Sequence, residues 1–223
     1  MLEIALYVVS FFLGSIPFGV IAGKMKGIDI RKVGSGNIGA TNVNRALGSK
    51  WAIAVFLLDV LKSFLPSLLV PIILKSGGQL FPIAVADTGV LAGICAIMGH
   101  LFSPFVGFKG GKGIASGLGA LLGTNPLLGI LAFSVFIVMM IFTRIVSLSS
   151  IVAAPSIIVF ALVFHQTLIY TIVFGGMAVF ILYKHIPNMK RLMKGEEPKF
   201  SFDFKKRDNE SSSAPEPHQN KDG

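Results

Sequence analysis

Most of this chain consists of apolar runs long enough to cross a lipid bilayer. The candidate spans are residues 4–24, 51–74, 82–103, 126–143, 147–164 and 167–184. A helix needs about 20 apolar residues to cross a hydrocarbon core of about 30 Å. The mean hydropathy of +0.75 and the 14% share of charged residues agree with this, since soluble proteins contain about 25% charged residues. The sequence therefore predicts an all-α integral membrane protein.

A seventh apolar run, residues 114–123, is short for a crossing, and the charges between the runs decide how it is interpreted. Lys and Arg concentrate on the cytoplasmic side of membrane proteins. The chain has neither residue before Lys24, whereas the segment after the first run and the C-terminal segment are rich in both. An N-terminus outside and a C-terminus in the cytoplasm require an odd number of crossings. We therefore expect seven transmembrane helices, with 114–123 as a short or broken one.

The predicted organisation is one membrane domain followed by a polar tail. Residues 1–197 contain every apolar run, while residues 198–223 are rich in charged residues, serine and proline. A segment of this composition cannot bury enough apolar surface to fold. We expect a disordered cytoplasmic tail over 198–223. The first run lacks the basic start and the cleavage site of a signal peptide, so we expect it to be retained as a helix.

Three patches rich in glycine, polar and basic residues separate the apolar runs on the predicted cytoplasmic side. The first patch is GSGNIGATN at 34–42, the second is KGGKG at 109–113, and the third is HIPNMKR at 185–191. Glycines allow backbone N–H groups to converge on an anion, and lysine, arginine and hydroxyl groups add donors. The N-terminus of a helix favours anions for the same reason. Together the patches predict a site for phosphorylated substrates.

Each patch taken alone has a simpler explanation. Glycines in the first patch also suit a tight link between helices, the lysines of the second patch also fit the positive-inside bias, and His185 also fits a membrane interface. The second patch is not a nucleotide P-loop, because GxxxxGK[ST] requires a glycine at 106 and a hydroxyl at 113, where this chain has Val106 and Gly113. We expect no ATP hydrolysis.

Two ionisable residues lie inside the second apolar run. Asp59 and Lys62 are three positions apart, which places them on one face of a helix. An unpaired charge at this depth would cost several kcal/mol. We expect the two residues to pair or to line a polar cavity, and the sequence leaves open whether the pair is functional or only orients helices.

The three patches and their flanks resemble one known family, the bacterial acyl-phosphate:glycerol-3-phosphate acyltransferases (PlsY). The resemblance extends over residues 14–197. It rests on three blocks, residues 29–48, 99–113 and 185–197. The chain departs from the family pattern at Glu196, where the family usually has another residue, often Thr, and in its longer tail. The combination of blocks is far more specific than any patch alone.

The resemblance implies seven transmembrane helices in a bacterial inner (cytoplasmic) membrane, with the N-terminus outside and the active site on the cytoplasmic face. It implies transfer of a fatty acyl group from acyl phosphate to the 1-hydroxyl of glycerol 3-phosphate. The products are lysophosphatidic acid, for phospholipid biosynthesis, and inorganic phosphate. The implied catalytic residues are Ser35, Arg45, Lys109, His185 and Asn188. The implied substrate-binding residues are Gly36, Asn37, Gly39, Thr41, Asn42, Gly110, Gly111, Lys112, Gly113 and Ser147.

The partners that follow are glycerol 3-phosphate, acyl phosphate and membrane lipid. We expect no metal ion, because hard cations need oxygen ligands and the predicted cytoplasmic patches contain few carboxylates, chiefly Asp29, Glu196 and Glu197. We also expect no organic cofactor, no nucleic acid and no obligate protein partner. Glu197 is expected to tie down the last helix rather than to bind substrate.

Two other functions are weighed against this one. Glycerolipid acyltransferases that use acyl-CoA or acyl carrier protein commonly show a His-x4-Asp motif, and no histidine of this chain is followed by aspartate at that spacing. A transporter of organic phosphates would also have about seven helices, a basic vestibule and intramembrane charges. The chain shows no inverted repeat, and beyond Glu3 at the N-terminus only Lys75 and Asp87 are charged on the predicted outer side.

Overall fold

The computed structural model describes residues 1–75, 80 and 83–200, and every regular element within these ranges is helical. The described residues form ten α-helices: α1 (Leu2–Ser15), α2 (Phe18–Met25), α3 (Ala40–Leu47), α4 (Ser49–Lys75), α5 (Val85–Leu101), α6 (Ile114–Thr124), α7 (Pro126–Thr143), α8 (Val146–Val163), α9 (Leu168–Lys184) and α10 (Ile186–Met193). Residues 201–223 of the predicted tail lie outside the described residues, as does the first residue of the predicted span 82–103.

Five helical segments of the described chain are long and apolar enough to cross a membrane. They are Leu2–Met25, Ser49–Lys75, Val85–Val106, Pro126–Thr143 and Val146–Val163. The first contains the break between α1 and α2 at Pro17, which lacks a backbone N–H to continue the helix. A sixth segment is formed by α9 and α10, which bend by 51° relative to each other. The protein is thus an all-α integral membrane protein, as the sequence predicted.

Helix α6 corresponds to the seventh apolar run and is shorter than the six segments described above. Its 11 residues extend for about 16 Å at 1.5 Å per residue, roughly half the thickness of a hydrocarbon core. It lies directly on α4, since an added Cβ at Gly119 would be 2.0 Å from the carbonyl oxygen of Val60. A helix this short and this closely packed has its position set by α4 rather than by its own hydrophobicity.

Small residues also bring α1 and α5 into contact. A Cβ added to Gly14 would be 2.0 Å from the carbonyl oxygen of Ala96, and one added to Gly99 would be 2.0 Å from that of Phe11. Close approach of backbones through glycine is the usual way in which membrane helices associate, because lipid supplies no hydrophobic force between them. Helix α4 packs against α1, α3, α5 and α6, so it forms the centre of the bundle.

The pairing predicted within the second span is confirmed. Lys62 Nζ lies 2.7 Å from Asp59 Oδ1, and both side chains are buried. Lys62 also donates a hydrogen bond of 2.8 Å to the carbonyl oxygen of Ile16, where α1 has ended. This lysine therefore joins α4 to the break in the first span.

Candidate active site

One cavity of about 320 Å³ collects residues from all three patches. The first patch contributes Ser35, Asn37, Gly39, Thr41 and Asn42, and α3 adds Arg45. The second patch contributes Lys112 and Gly113, α8 contributes Ser147, and the third patch contributes His185, Asn188 and Arg191. Segments far apart in sequence thus meet at a single basic and polar surface.

The first patch is folded by the side chain of Asn42. This residue is buried, and its Oδ1 accepts a hydrogen bond of 2.9 Å from the Ser35 backbone N–H. Its Nδ2 donates to the carbonyl oxygens of Ile30 and Val33 at 2.9 and 3.0 Å. Gly34 has a φ of +59°, and a Cβ there would lie 2.4 Å from Asn42 Oδ1. Asn42, predicted to bind substrate, therefore shapes the loop that presents Ser35.

Helix α3 begins at the edge of the cavity. Gly39 occupies its N-cap position and lines the cavity together with Ala40 and Thr41. The free N–H groups and the dipole of a helix N-terminus attract anions. Arg45, in the last turn of the same helix, adds a positive side chain to the lining. The first patch therefore offers both backbone and side-chain donors.

The two lysines of the second patch are placed differently. The Lys112 side chain lines the cavity and donates a hydrogen bond to Asn188 Oδ1. Lys109 is exposed and is absent from the lining, as are Gly36, Gly110 and Gly111. Burial lowers the pKa of Lys112 to about 8, an effect that the Glu197 charge opposes and that Arg191 and Arg45 reinforce.

His185 and Asn188 meet in the cavity at the bend between α9 and α10. His185 Nδ1 lies 2.8 Å from the carbonyl oxygen of Ile181, so this nitrogen carries the proton and Nε2 is the remaining ring nitrogen. Burial lowers the pKa of His185 to about 4, although the bond to Ile181 acts in the opposite direction. The imidazole is therefore neutral at pH 7.

Glu197 links three cavity residues. Its Oε1 accepts hydrogen bonds from Ser147 Oγ and Asn188 Nδ2, both at 2.7 Å. Its Oε2 accepts from Arg191 Nε at 2.7 Å. Burial alone would raise the pKa of Glu197, but the hydrogen bonds from Arg191, Asn188 and Ser147 outweigh it and lower the pKa. The carboxylate holds α8 and α10 together beside the cavity.

The segment after Glu197 also belongs to the site. Pro198 and Phe200 line the cavity, and the Phe200 backbone N–H donates a hydrogen bond of 2.6 Å to the Arg144 carbonyl oxygen. Described residues beyond 197, the predicted end of the membrane domain, therefore contribute to the cavity lining. The site predicted from the patches does not include Arg191 and Glu197, because their hydrogen-bond partners depend on how the helices pack.

Part of the cavity lining is apolar. Phe56, Phe133 and Phe136 line it, and their rings form a row in which neighbouring centroids are 6.3 and 6.0 Å apart. A smaller apolar cavity of about 60 Å³ shares these three residues and extends between α6, α8 and α9. Among the described residues, no three His, Cys, Asp or Glu side chains cluster as a metal site. The site thus combines basic and polar groups with an apolar pocket.

Known proteins match this chain over most of its length. A sequence profile of the glycerol-3-phosphate acyltransferase family matches residues 4–195. The chain belongs to the glycerol-3-phosphate acyltransferase family. The family inferred from the three blocks is thereby confirmed, and with it the assignment as a membrane acyltransferase of phospholipid biosynthesis.

Individual members of the acyltransferase family show the extent of the similarity. A glycerol-3-phosphate acyltransferase of Fusobacterium nucleatum is 40% identical over 196 residues, which are 87% of this chain and 96% of that protein. One from Synechococcus elongatus is 40% identical over 197 residues, which are 88% of this chain and 93% of that protein. One from Aquifex aeolicus is 49% identical over 113 residues, so that alignment spans about half of each chain, 50% and 54%.

Two crystal structures of PlsY, an integral membrane glycerol 3-phosphate acyltransferase, share the fold. The glycerol 3-phosphate form is 37% identical, with a TM-score of 0.81 over 90% of this chain and 96% of that chain. The lysophosphatidic acid form is 36% identical, with a TM-score of 0.78 and the same coverage. Because both sequence and fold agree along almost the whole chain, family membership extends to the complete helix bundle.

Proposed function

We propose that this protein transfers a fatty acyl group from acyl phosphate to the 1-hydroxyl of glycerol 3-phosphate, releasing lysophosphatidic acid and inorganic phosphate. The observation that carries the proposal is the single cavity in which basic groups meet an apolar pocket. Arg45, Lys112 and the N-terminus of α3 suit the phosphate groups. The phenylalanine row suits the alkyl chain, which gains about 0.8 kcal/mol for each buried methylene.

The main requirement of this reaction is that the 1-hydroxyl of glycerol 3-phosphate is aligned with the carbonyl carbon of acyl phosphate. Acyl phosphate is a mixed anhydride, so phosphate is a good leaving group once its charge is held in place. The 1-hydroxyl oxygen attacks the carbonyl carbon, the bond from that carbon to the phosphate oxygen breaks, and the hydroxyl proton passes to an acceptor. Holding both anions in one cavity provides the proximity that such a transfer needs.

The proton acceptor is the departing phosphate rather than His185. A phosphate dianion takes up a proton with a pKa near 6, whereas burial lowers the pKa of His185 to about 4, so the imidazole is the weaker base. His185 lines the cavity, and we expect its Nε2 to bind a hydroxyl or phosphate oxygen. We expect a His185→Gln variant, which keeps a polar side chain, to retain turnover well above background. Near-normal turnover would exclude histidine as an essential base, whereas turnover at background would contradict the assignment of the proton to the departing phosphate.

We also propose seven crossings with the N-terminus outside, in a bacterial inner membrane. The basic segments predicted to be cytoplasmic supply the residues of one cavity, which supports placing them on one face of the membrane. With that face inside, α6 serves as a short seventh crossing packed on α4. Glycerol 3-phosphate then reaches the site from the cytoplasm, and the acyl chain from the inner leaflet.

The test is product formation by purified protein in lipid vesicles. Glycerol 3-phosphate is supplied with either palmitoyl phosphate or palmitoyl-CoA, and lysophosphatidic acid is measured. Product from palmitoyl phosphate alone is expected. Product from palmitoyl-CoA alone would show that the donor is acyl-CoA instead of acyl phosphate. The absence of product from both donors would favour a transporter of organic phosphates.

The pH dependence of the reaction should report on Lys112. We expect kcat/KM for glycerol 3-phosphate to fall as the pH rises through about 8, because the lowered pKa of Lys112 means that its ammonium group is lost there. A Lys112→Arg variant stays charged, so its decline should move to higher pH. Superimposable profiles for the two proteins would assign the decline to another group.

A further inference from the structure

Beneath the second patch lies a group of buried ionisable side chains to which no function has been assigned. Asp59 and Lys62 on α4 are each 3% exposed, and His100 on α5 is 4% exposed. Asp59 Oδ1 is 2.7 Å from Lys62 Nζ and 3.7 Å from His100 Nδ1, so the carboxylate stands between the two bases. Within the described ranges, His100 Nδ1 makes no hydrogen bond. Asp59 and His100 both line the cavity.

The stability of the fold does not by itself explain why these ionisable side chains are buried together. Charged side chains in a membrane helix bundle are expensive to bury, and an apolar trio of similar size would often stabilise the bundle more. The Lys62 ammonium is compensated by Asp59 and by the Ile16 carbonyl oxygen. His100 has no comparable partner, although it lies in the same group. Its polar ring therefore needs a different explanation.

His100 forms the support on which the second patch turns. The Gly111 N–H donates to the His100 carbonyl oxygen at 3.2 Å, and the Gly110 N–H donates to that of Leu101 at 3.1 Å. A Cβ on Gly111 would lie 2.2 Å from His100 Nε2, and a Cβ on Gly110 would lie 1.9 Å from the His100 carbonyl oxygen. The two glycines are thus pressed against both the ring and the backbone of His100.

The turn continues directly into the anion-binding groups. The residue after Gly111 is Lys112, which lines the cavity and bonds to Asn188, and α6 begins at Ile114. A tilt of the His100 ring would move Gly111 and change where the Lys112 ammonium points. Displacements of about 1 Å in such a group can reduce catalysis by as much as 100-fold.

We propose that Asp59 and His100 are positioning residues for the KGGKG turn. The Asp59 carboxylate orients the His100 ring by favouring the tautomer with a proton on Nδ1, and the ring fixes the turn that carries Lys112. The proposal rests on the proposed function for its kinetic test, because glycerol 3-phosphate is taken as the ligand whose binding depends on the turn.

The first experiment compares His100→Asn with His100→Leu. The two replacements have closely similar shapes, but only asparagine keeps a polar N–H group facing the Asp59 carboxylate near the position of Nδ1. We expect the leucine variant to raise KM for glycerol 3-phosphate by about tenfold, with KM for acyl phosphate unchanged, and the asparagine variant to lie closer to wild type. Equal kinetics in the two variants would overturn the proposal.

A second measurement does not depend on turnover. Hydrogen exchange of the Gly110 and Gly111 amides should be faster in the leucine variant than in the asparagine variant, since these amides bond to the support that His100 provides. Equal exchange rates would overturn the positioning role. A failure of the proposed function can be told apart from a failure of the positioning role. In the first case the wild-type protein itself makes no product from acyl phosphate.

Asp59 needs a double variant, because removing its charge alone leaves Lys62 buried without compensation. Asp59→Asn combined with Lys62→Met removes both charges, and Asp87→Asn is a matched control at a buried carboxylate bonded to Thr167. We expect the double variant to fold with a raised KM for glycerol 3-phosphate, and the control to behave as wild type. A folded double variant with normal KM for glycerol 3-phosphate would overturn the positioning role of Asp59 and show that it serves only as the counter-ion of Lys62.

Discussion

Replacing Lys112 with methionine should lower kcat/KM for glycerol 3-phosphate by about 10²- to 10³-fold. The side chain brings a positive charge into the cavity between the third patch and the first. A phosphate bound there would make a charge-assisted hydrogen bond in partly desolvated surroundings, where such bonds are strongest. Methionine keeps the length of the side chain and removes the charge. Steady-state kinetics in lipid, with glycerol 3-phosphate varied at saturating acyl donor, measure the effect.

Lys109→Met is the matched variant for this prediction. It removes the same charge from the same glycine-rich turn, but from an exposed side chain that does not line the cavity. We therefore expect Lys109→Met to lower kcat/KM for glycerol 3-phosphate clearly less than Lys112→Met does. A loss at Lys109 equal to or above that at Lys112 would support the catalytic role that the family resemblance implies for Lys109.

Replacing Glu197 with alanine should destabilise the protein by about 3 kcal/mol. The change leaves Ser147 Oγ and Asn188 Nδ2 without their buried acceptor and Arg191 without its counter-ion. Arg191 keeps contact with water, since its side chain is 37% exposed, so its share of the loss is small. The thermal midpoint of the purified protein measures the effect, and it should fall more clearly than KM for glycerol 3-phosphate rises.

Glu196→Ala is the control for Glu197→Ala. The two glutamates are adjacent, but Glu196 is exposed, so its removal should leave the thermal midpoint within about 1 °C of wild type. A stable Glu197→Ala protein with weakened binding of glycerol 3-phosphate would show instead that the carboxylate acts on substrate.

The membrane class and most of the helix bounds follow from the sequence, because the length of an apolar run is a local property that can be compared directly with the thickness of the bilayer. A run of about 20 apolar residues has one favourable structure in lipid, and the predicted span 126–143 coincides with α7. The pairing of Asp59 with Lys62 was also predictable, since a spacing of three on a helix and the expense of unpaired charge leave few alternatives. The family was also predictable from the sequence, because the blocks around the glycine-rich patches are short, continuous motifs.

The tertiary structure alone decided which of these side chains share a cavity. Lys109 and Lys112 belong to one short patch, yet the backbone reverses around them, with positive φ at Phe108 and at Gly113, and only Lys112 points into the site. Asn42 holds its own loop, Glu197 links α8 to α10, and His100 supports Gly111. These roles depend on three-dimensional contacts that the sequence pattern does not specify. Sequence fixes which groups can bind an anion, whereas the packing of α4, α5 and α6 determines which of them face it.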